Sequence, residues 1–369
     1  VGWNNPNVPW SDIEGLLSDR TPAGRPVDIW AGDGNGSPAW SRKRQAYRPP
    51  TDLSRRQAPV RYAELHCHSN FSFLDGASHP EELATEAARL GLEALAICDH
   101  NGFYGVVRFA EAAGALGLPT VFGAELTLPP QAPSPAQPGR RRREKRERTG
   151  VPDPDGVHLL VLARDPRGYA LLARAIGEGQ LAGAKNAPRF DYERLVTLGG
   201  AGTGDGWLIL TGCRKGAVPQ ALAAGGVPAA RRALEQLTAD FGAANVAVEL
   251  WDHGLPGDSV RNEALAELAA GAGLALVATG NVHHHSVGRQ KLAAALAAVR
   301  ARRSLDEIDG WLPPAGRHLR SGAEQAARFA RWPGVVERAA DLGRECAFDL
   351  QLVVPALPPY PCPDGLDEA

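Results

Sequence analysis

From residue 61 to about residue 303 the chain alternates two kinds of pattern. Short, near-continuous apolar runs rich in Val, Ile and Leu lie at 61–67, 94–98, 120–127, 157–163, 207–211, 245–250 and 274–279. Runs of this kind predict strands. Ala-rich stretches with apolar residues at helical spacing lie between them, near 80–90, 103–116, 167–177, 228–240, 259–271 and 287–302. The first of these begins with Ser78, then Pro80, then Glu81 three residues after the serine, a helix start signal. Strands alternating with helices of this size predict βαβ units and a largely parallel sheet. About seven such units with no dinucleotide-type glycine fingerprint predict an α/β closed barrel related to (β/α)8 rather than an open sheet.

The flanks break this rhythm. Residues 1–60 are rich in Gly, Pro, Trp, Ser and Arg without a sustained period and read as an irregular N-terminal arm. An insertion at 129–156 is Pro-rich, then basic, then turn-rich, and is expected to be a disordered, solvated loop. Its basic run, Arg140, Arg141, Arg142, Arg143, Lys145, Arg146 and Arg148, has a second reading as a grip on nucleic-acid backbone. After 303 two helices are expected, at 304–312 and 322–346, followed by a Pro-rich end. The expected domains are therefore 1–60, a barrel at 61–303, and a small helical linker at 304–369.

Composition narrows the class. A chain of 369 residues with 44% hydrophobic content can bury a large core. A net charge of -2 gives no global basic signature, so any nucleic-acid surface must be local. Five scattered cysteines without a C-x-x-C do not form a disulfide framework. No apolar run of membrane-spanning length and no leader-like start occur, so a cytoplasmic protein with no membrane partner is expected. The chain lacks Met, starts on Val and ends on a linker-like "PPYPCPDGLDEA", which suits a piece of a longer protein.

The polar residues that follow the strands are the candidate chemistry, because barrel sites sit at the carboxyl ends of strands. His66 and His68 close the first run and Asp75 follows it; Asp99 and His100 close the second; Glu125 lies in the third. Cys213 follows the fifth, Glu249, Asp252 and His253 end the sixth, and Asn281 and His283 follow the seventh. His158 is the exception, since it opens the fourth. Each has an ordinary competitor: Asp75 as a turn residue before Gly76, Cys213 as a small buried residue, His158 as a strand histidine. Taken together, imidazoles, a thiolate and carboxylates suit Zn, Mn or Fe. So many donors exceed one tetrahedral site, which points to two or three ions and metal-assisted hydrolysis of a phosphoester. Asp99 reads as orienting a ligand rather than binding metal, Glu249, Asp252 and His253 as possible supporting groups, and His284 and His285 as surface residues. No strained G-x-S-x-G elbow favours a serine nucleophile.

In order along the chain, "LHCHSNFSFLDG", "ALAICDHNGFYGVVRF", "GLPTVFGAEL", "HLLVLARDPRGY", "LTGCRKG" and "ATGNVHHH" resemble the PHP family, named for polymerases and histidinol phosphatases. The wording is most similar to the N-terminal PHP domain of bacterial polymerase III alpha subunits, and "CDHNGFYGVVRF" with "GNVH" to their error-prone, damage-inducible branch. The resemblance covers roughly 61–365 and implies a distorted (β/α)7 barrel with a trinuclear metal site. Its ligands fall on His66, His68, Asp75, His100, Glu125, His158, Cys213 and His283. A ninth position, usually aspartate, is Asn281 here, so one metal should bind more weakly. For a full-length protein the resemblance implies a DNA polymerase of repair and lesion bypass. It would use Mg, primer-template DNA and deoxynucleotides, with a sliding clamp and damage-response proteins as partners. Its polymerase carboxylates would lie outside this chain. The alternatives are a free-standing phosphoesterase of the histidinol-phosphatase kind and a purely structural scaffold.

Overall fold

The computed structural model describes residues 47–350, apart from 57, 130–155, 185–186, 203–205 and 309–311. Most of the N-terminal arm, the basic run Arg140–Arg148 and the Pro-rich end lie outside the described residues.

The apolar runs form one seven-stranded sheet in sequence order. Its strands are β1 (Ala63–Glu64), β2 (Ala94–Ile97), β3 (Thr120–Leu128), β4 (Val157–Ala163), β5 (Trp207–Leu210), β6 (Val246–Trp251) and β7 (Ala275–Thr279). Between them run α1 (Pro80–Leu90), α2 (Val106–Leu116), α3 (Pro166–Ala182), α4 (Tyr192–Gly199), α5 (Ala217–Phe241) and α6 (Asp258–Ala272). Among the described residues three more helices follow β7: α7 (Gln290–Ala301), α8 (Gly322–Arg328) and α9 (Val335–Glu345). The strands are buried almost throughout, which is why they read as continuous apolar runs rather than alternating ones.

One strand runs against the rest: β4 is antiparallel to both β3 and β5. The sequence between β3 and β4 carries no helical pattern, which fits antiparallel pairing, since a parallel pair would need a crossover connection. Leu128 pairs with Val157 at the root of that hairpin. This reversal brings His158, which opens β4, to the same end of the barrel as the carboxyl ends of the other strands. The hydrophobic pattern did not reveal α4. The end of β4 already lies beside the start of β5, with Ala163 opposite Trp207, and α3 and α4 form an excursion between them.

Local chemistry sets the helix ends. Asp165 caps α3 by accepting from Gly168 N–H, Asp191 caps α4 by accepting from Arg194 N–H, and Ser321 with Glu324 forms a capping box on α8. The start of α1 lies one residue later than the sequence signal: His79 is the cap residue, and its N–H donates to Glu82 at 2.8 Å. In α5 the backbone breaks at Gly226 (φ 68°), ahead of Pro228, so the amphipathic stretch read at 228–240 is its second half. The expected helix at 304–312 is only a 3-10 turn at Leu305–Glu307 among the described residues, and the stretch 322–346 divides into α8 and α9.

β1 and β7 are not paired within the sheet. Their seam closes in three ways. Cys67 and Val282 form a bridge beyond the strand ends, with His68 N–H donating to Val282 and Val282 N–H to His66, both at 2.8 Å. Buried Glu64 accepts from Gly280 N–H at 2.8 Å and from Tyr62 at 2.7 Å. Helix α9 covers the seam, placing Gly343 against Ala63 of β1 and Ala94 of β2. The region read as a linker thus supplies part of the barrel wall.

Candidate metal centre

At the mouth of the barrel, Glu125 projects from near the end of β3 into a ring of histidines. Its Oε2 lies 3.1 Å from His158 Nδ1, 3.3 Å from His100 Nδ1 and 3.5 Å from His68 Nε2. Its Oε1 lies 3.7 Å from His66 Nε2 and 3.6 Å from Cys213 Sγ. Two groups of metal-ligand type therefore share this carboxylate: His66, His68 and Glu125, and His100, Glu125 and His158. All five residues are buried. Burial pushes the Glu125 carboxyl up, but the surrounding His158, His66 and His100 outweigh it and hold it well below the ordinary range. Asp75 sits beside this ring, its Oδ2 3.0 Å from His100 Nε2 and its Oδ1 3.1 Å from His283 Nδ1. Asn281 Oδ1 is 2.9 Å from His283 Nε2. All nine residues that the sequence offered as ligands come together here.

The residues fit metal on two observations. His66 Nε2 faces His68 Nε2 at 3.2 Å, two ring nitrogens turned to the same point beside a carboxylate. Among the described residues His100 Nδ1 is buried and makes no hydrogen bond, its 3.3 Å approach to Glu125 Oε2 being an ion-pair contact only. Buried donors that converge on one another rather than on donors' hydrogens are what a cation would satisfy.

Supporting groups fix the ring orientations. Glu249 on β6 accepts from His66 Nδ1 at 2.7 Å, and Thr279 at the end of β7 donates to the same oxygen. Burial opposes charge on His66, but Glu249, and beyond it Glu125 and Glu64, outweigh it and raise its pKa. The Nδ1 contact with Glu249, rather than this shift, favours the neutral tautomer with its proton on Nδ1 and its Nε2 lone pair toward the centre. Asp99 accepts from Ser69 N–H and Ser69 Oγ, each at 2.7 Å, and from Ser72 Oγ at 2.8 Å. Ser72 Oγ in turn lies 3.1 Å from His68 Nδ1. Burial, with His100 and His283 close by, drives the His68 pKa well below the usual imidazole value, which keeps it neutral and able to ligate.

Asp252 and His253, read as supporting groups, bond to groups other than the ligand side chains among the described residues. Past the end of β6, Asp252 pairs with Arg328 at 3.0 Å, and His253 Nε2 donates to Gly280 O at 2.9 Å, because the chain turns outward into α6. His284, read as a surface residue, is buried and stacks on His318; His285 is half-buried against Ser78 Oγ. Four contributors escaped the sequence reading. Ser69 and Ser72 lie inside the "HCHSNFSFLDG" stretch, and Thr279 immediately precedes "GNVH", so proximity to the motifs was their signal. Arg317 had none. It lies beyond the last strand, in the stretch read as linker, yet its guanidinium is buried against His283 Nε2, with Nη1 3.6 Å from Asp75 Oδ1.

The family model that matches is the PHP domain, over residues 64–253. An error-prone DNA polymerase of Nocardia farcinica is 49% identical over 100% of this chain and 34% of its own length. One from Mycobacterium tuberculosis is 50% identical over 100% of this chain and 32% of its own. A third, from Cutibacterium acnes, is 45% identical over 99% of this chain and 30% of its own. The chain thus spans about a third of the length of the curated relatives it matches.

Proposed function

The chain belongs to the PHP family, and from that premise we propose that it is the PHP portion of an error-prone DNA polymerase whose barrel mouth holds divalent metal ions. The observation that carries the polymerase reading is the match along the whole chain, at 49% and 50% identity, to proteins of that name. The observation that carries the metal reading is Glu125 shared between two histidine pairs. In this reading the full-length protein works on primer-template DNA with deoxynucleotides and Mg in repair synthesis, with clamp and damage-response partners, in the cytoplasm. Among the described residues no helix is long and apolar enough to cross a membrane.

At the barrel mouth, His66, His68 and Glu125 would hold one ion, and His100, His158 and Glu125 a second, with Cys213 beside Glu125 Oε1. Zn, Mn or Fe suits this mixture of nitrogen, oxygen and sulfur donors. Ions held there supply Lewis acidity toward a phosphoryl oxygen and an attacking water, the chemistry of phosphodiester hydrolysis. The protein's own part is to turn ring nitrogens toward the centre and to fix their orientation. Glu249 fixes the proton of His66, and Asp99 acts through Ser72 on His68. The hairpin root, Leu128 and Val157, gives a reason to assign Arg140–Arg143, Lys145, Arg146 and Arg148 a role on DNA backbone. That hairpin also carries Glu125 and His158, so both ends of the basic insertion attach near the centre.

Primer extension by the full-length gene product on an abasic template tests this reading, with the chain alone assayed beside it. Extension by the former only, together with metal uptake by the latter, is expected. A full-length product that cannot extend primers but readily cleaves a small phosphomonoester would favour the free-standing phosphoesterase instead.

A further inference from the structure

Among the described residues only two Phe, Tyr or Trp side chains are exposed, Phe73 at 83% and Tyr104 at 57%. Both stand on loops that carry ligands of the metal centre. Phe73 lies between His68 and Asp75 on the loop from β1 to α1, and Tyr104 follows His100 on the loop from β2 to α2. Because β1 and β2 are parallel, both loops leave the same end of the barrel. The loops also touch. A Cβ on Gly105 would stand 2.9 Å from Phe71 Cδ2, and Ser72 Oγ accepts from His100 N–H at 3.1 Å. Phe73 is two residues from Asp75 and Tyr104 four from His100, spans of at most about 7 Å and about 14 Å between Cα atoms.

Neither ring owes its exposure to a loose loop. Ser72 O accepts from Asp75 N–H at 2.9 Å, which closes a tight turn with Phe73 and Leu74 at its corners. Leu74 has a φ of 61°, a left-handed value that costs energy for such a residue, and Arg300 Nη2 donates to its carbonyl at 2.5 Å. Tyr104 is pinned by Gln180 on α3, whose Nε2 donates to Tyr104 Oη and to Asn101 O, each at 3.0 Å. Asn101 N–H in turn donates to the Glu125 carbonyl at 3.0 Å. Gly102 leaves room for the ring, since a Cβ there would run into it. The fold thus holds two aromatic side chains in water on backbone tied to the ligands. An ordered, exposed ring is a surface on which a flat π-system stacks at little further cost in ordering.

We propose that Phe73 and Tyr104 form a stacking platform for unpaired nucleic-acid bases, positioning a single strand whose phosphodiester lies at the metal centre. This rests on the metal-centre reading above for the phosphate it serves. The platform is indifferent to sequence, because every base has a π-face. It requires an unpaired strand, because bases inside a duplex are already stacked on their neighbours. The basic insertion at 129–156 holds no aromatic residue, so it adds phosphate contacts but no preference for bases.

Fluorescence anisotropy of the metal-free chain with two labelled probes tests this. One probe is a short oligodeoxythymidylate, the other a strand of equal length built from abasic sugar phosphates. Both carry the same phosphate charge, so the ratio of their affinities isolates what the bases add. The wild-type chain should bind the thymidylate strand about 5- to 100-fold more tightly. Phe73→Ala or Tyr104→Ala should lower that ratio, and Phe73→Ala/Tyr104→Ala should bring it near one with abasic binding unchanged. Phe73→Trp and Tyr104→Phe should keep most of it. A wild-type ratio near one, a ratio unmoved in the double variant, or an equal loss for both strands would overturn the proposal and leave the metal-centre reading standing. Metal uptake, measured separately, decides that reading. A chain that takes up no metal would overturn the positioning role even with the base preference intact, so the two failures are told apart.

Discussion

Two residues carry most of what the centre needs from single side chains: Glu125 gathers the ligands, and Glu249 sets a tautomer. Removing the second leaves every ligand present but frees the His66 ring to rotate and to hold its proton on either nitrogen. Glu249→Ala should therefore weaken divalent-ion affinity about 10- to 100-fold by calorimetric titration. An unchanged affinity would show that packing alone orients His66. Away from the ligands, His318 is held to a pKa of about 4, by burial first and then by Arg320 and His284. Glu324 on α8 opposes that shift. Because the folded value is depressed, the unfolded chain binds the proton first as pH falls below about 6.5. Metal-free protein should lose stability from pH 6.5 down to about 4, with His253, also lowered by burial and Arg317, acting in the same direction. His318→Gln should flatten part of that slope in urea midpoints measured across this range, and an identical slope would remove His318 from the account.

At the level of elements, how legible each one was follows from how local its cause is. β4 and α1 were readable nearly to the residue, because a buried strand and a Pro-started helix announce themselves in the local pattern. The direction of β4 was not, since strand direction is set by pairing with β3 and β5 rather than by local pattern, and His158 therefore looked misplaced until the strand was seen to run backwards. The histidines and acids of the centre were legible because they sit at strand ends, a consequence of barrel topology. Arg317 was illegible because its position depends on a return of the chain from beyond β7, which no periodicity encodes. The same return makes α9 part of the wall. A Cβ on Gly343 would stand 2.5 Å from Ala63 Cβ, a strand methyl that cannot swing aside. Gly343→Ala gains about 1 kcal/mol of helix propensity but incurs overpacking of typically about 1–3 kcal/mol. The net expectation is a lower thermal midpoint. A raised midpoint would mean that α9 rides loosely on the seam.

For the whole molecule, the barrel and its centre form one unit, and the basic insertion is joined to it at the ends of β3 and β4. Deleting 130–155 and closing the hairpin with a short turn should leave the thermal midpoint nearly unchanged while weakening DNA binding at low salt. The loss should shrink as salt rises, as expected of phosphate contacts. A large fall in midpoint would show instead that the insertion packs on the barrel. The claim on which the rest depends is that Glu125 bridges metal ions between two histidine pairs. Glu125→Gln keeps the shape of that side chain and removes its charge. Elemental analysis of the wild-type chain and of Glu125→Gln, purified without chelator and matched by circular dichroism, tests this directly. The account predicts more than one equivalent of transition metal in the wild type and almost none in Glu125→Gln. A folded wild type that holds no metal and takes up none from added Zn2+ or Mn2+, or equal metal in both proteins, would contradict it.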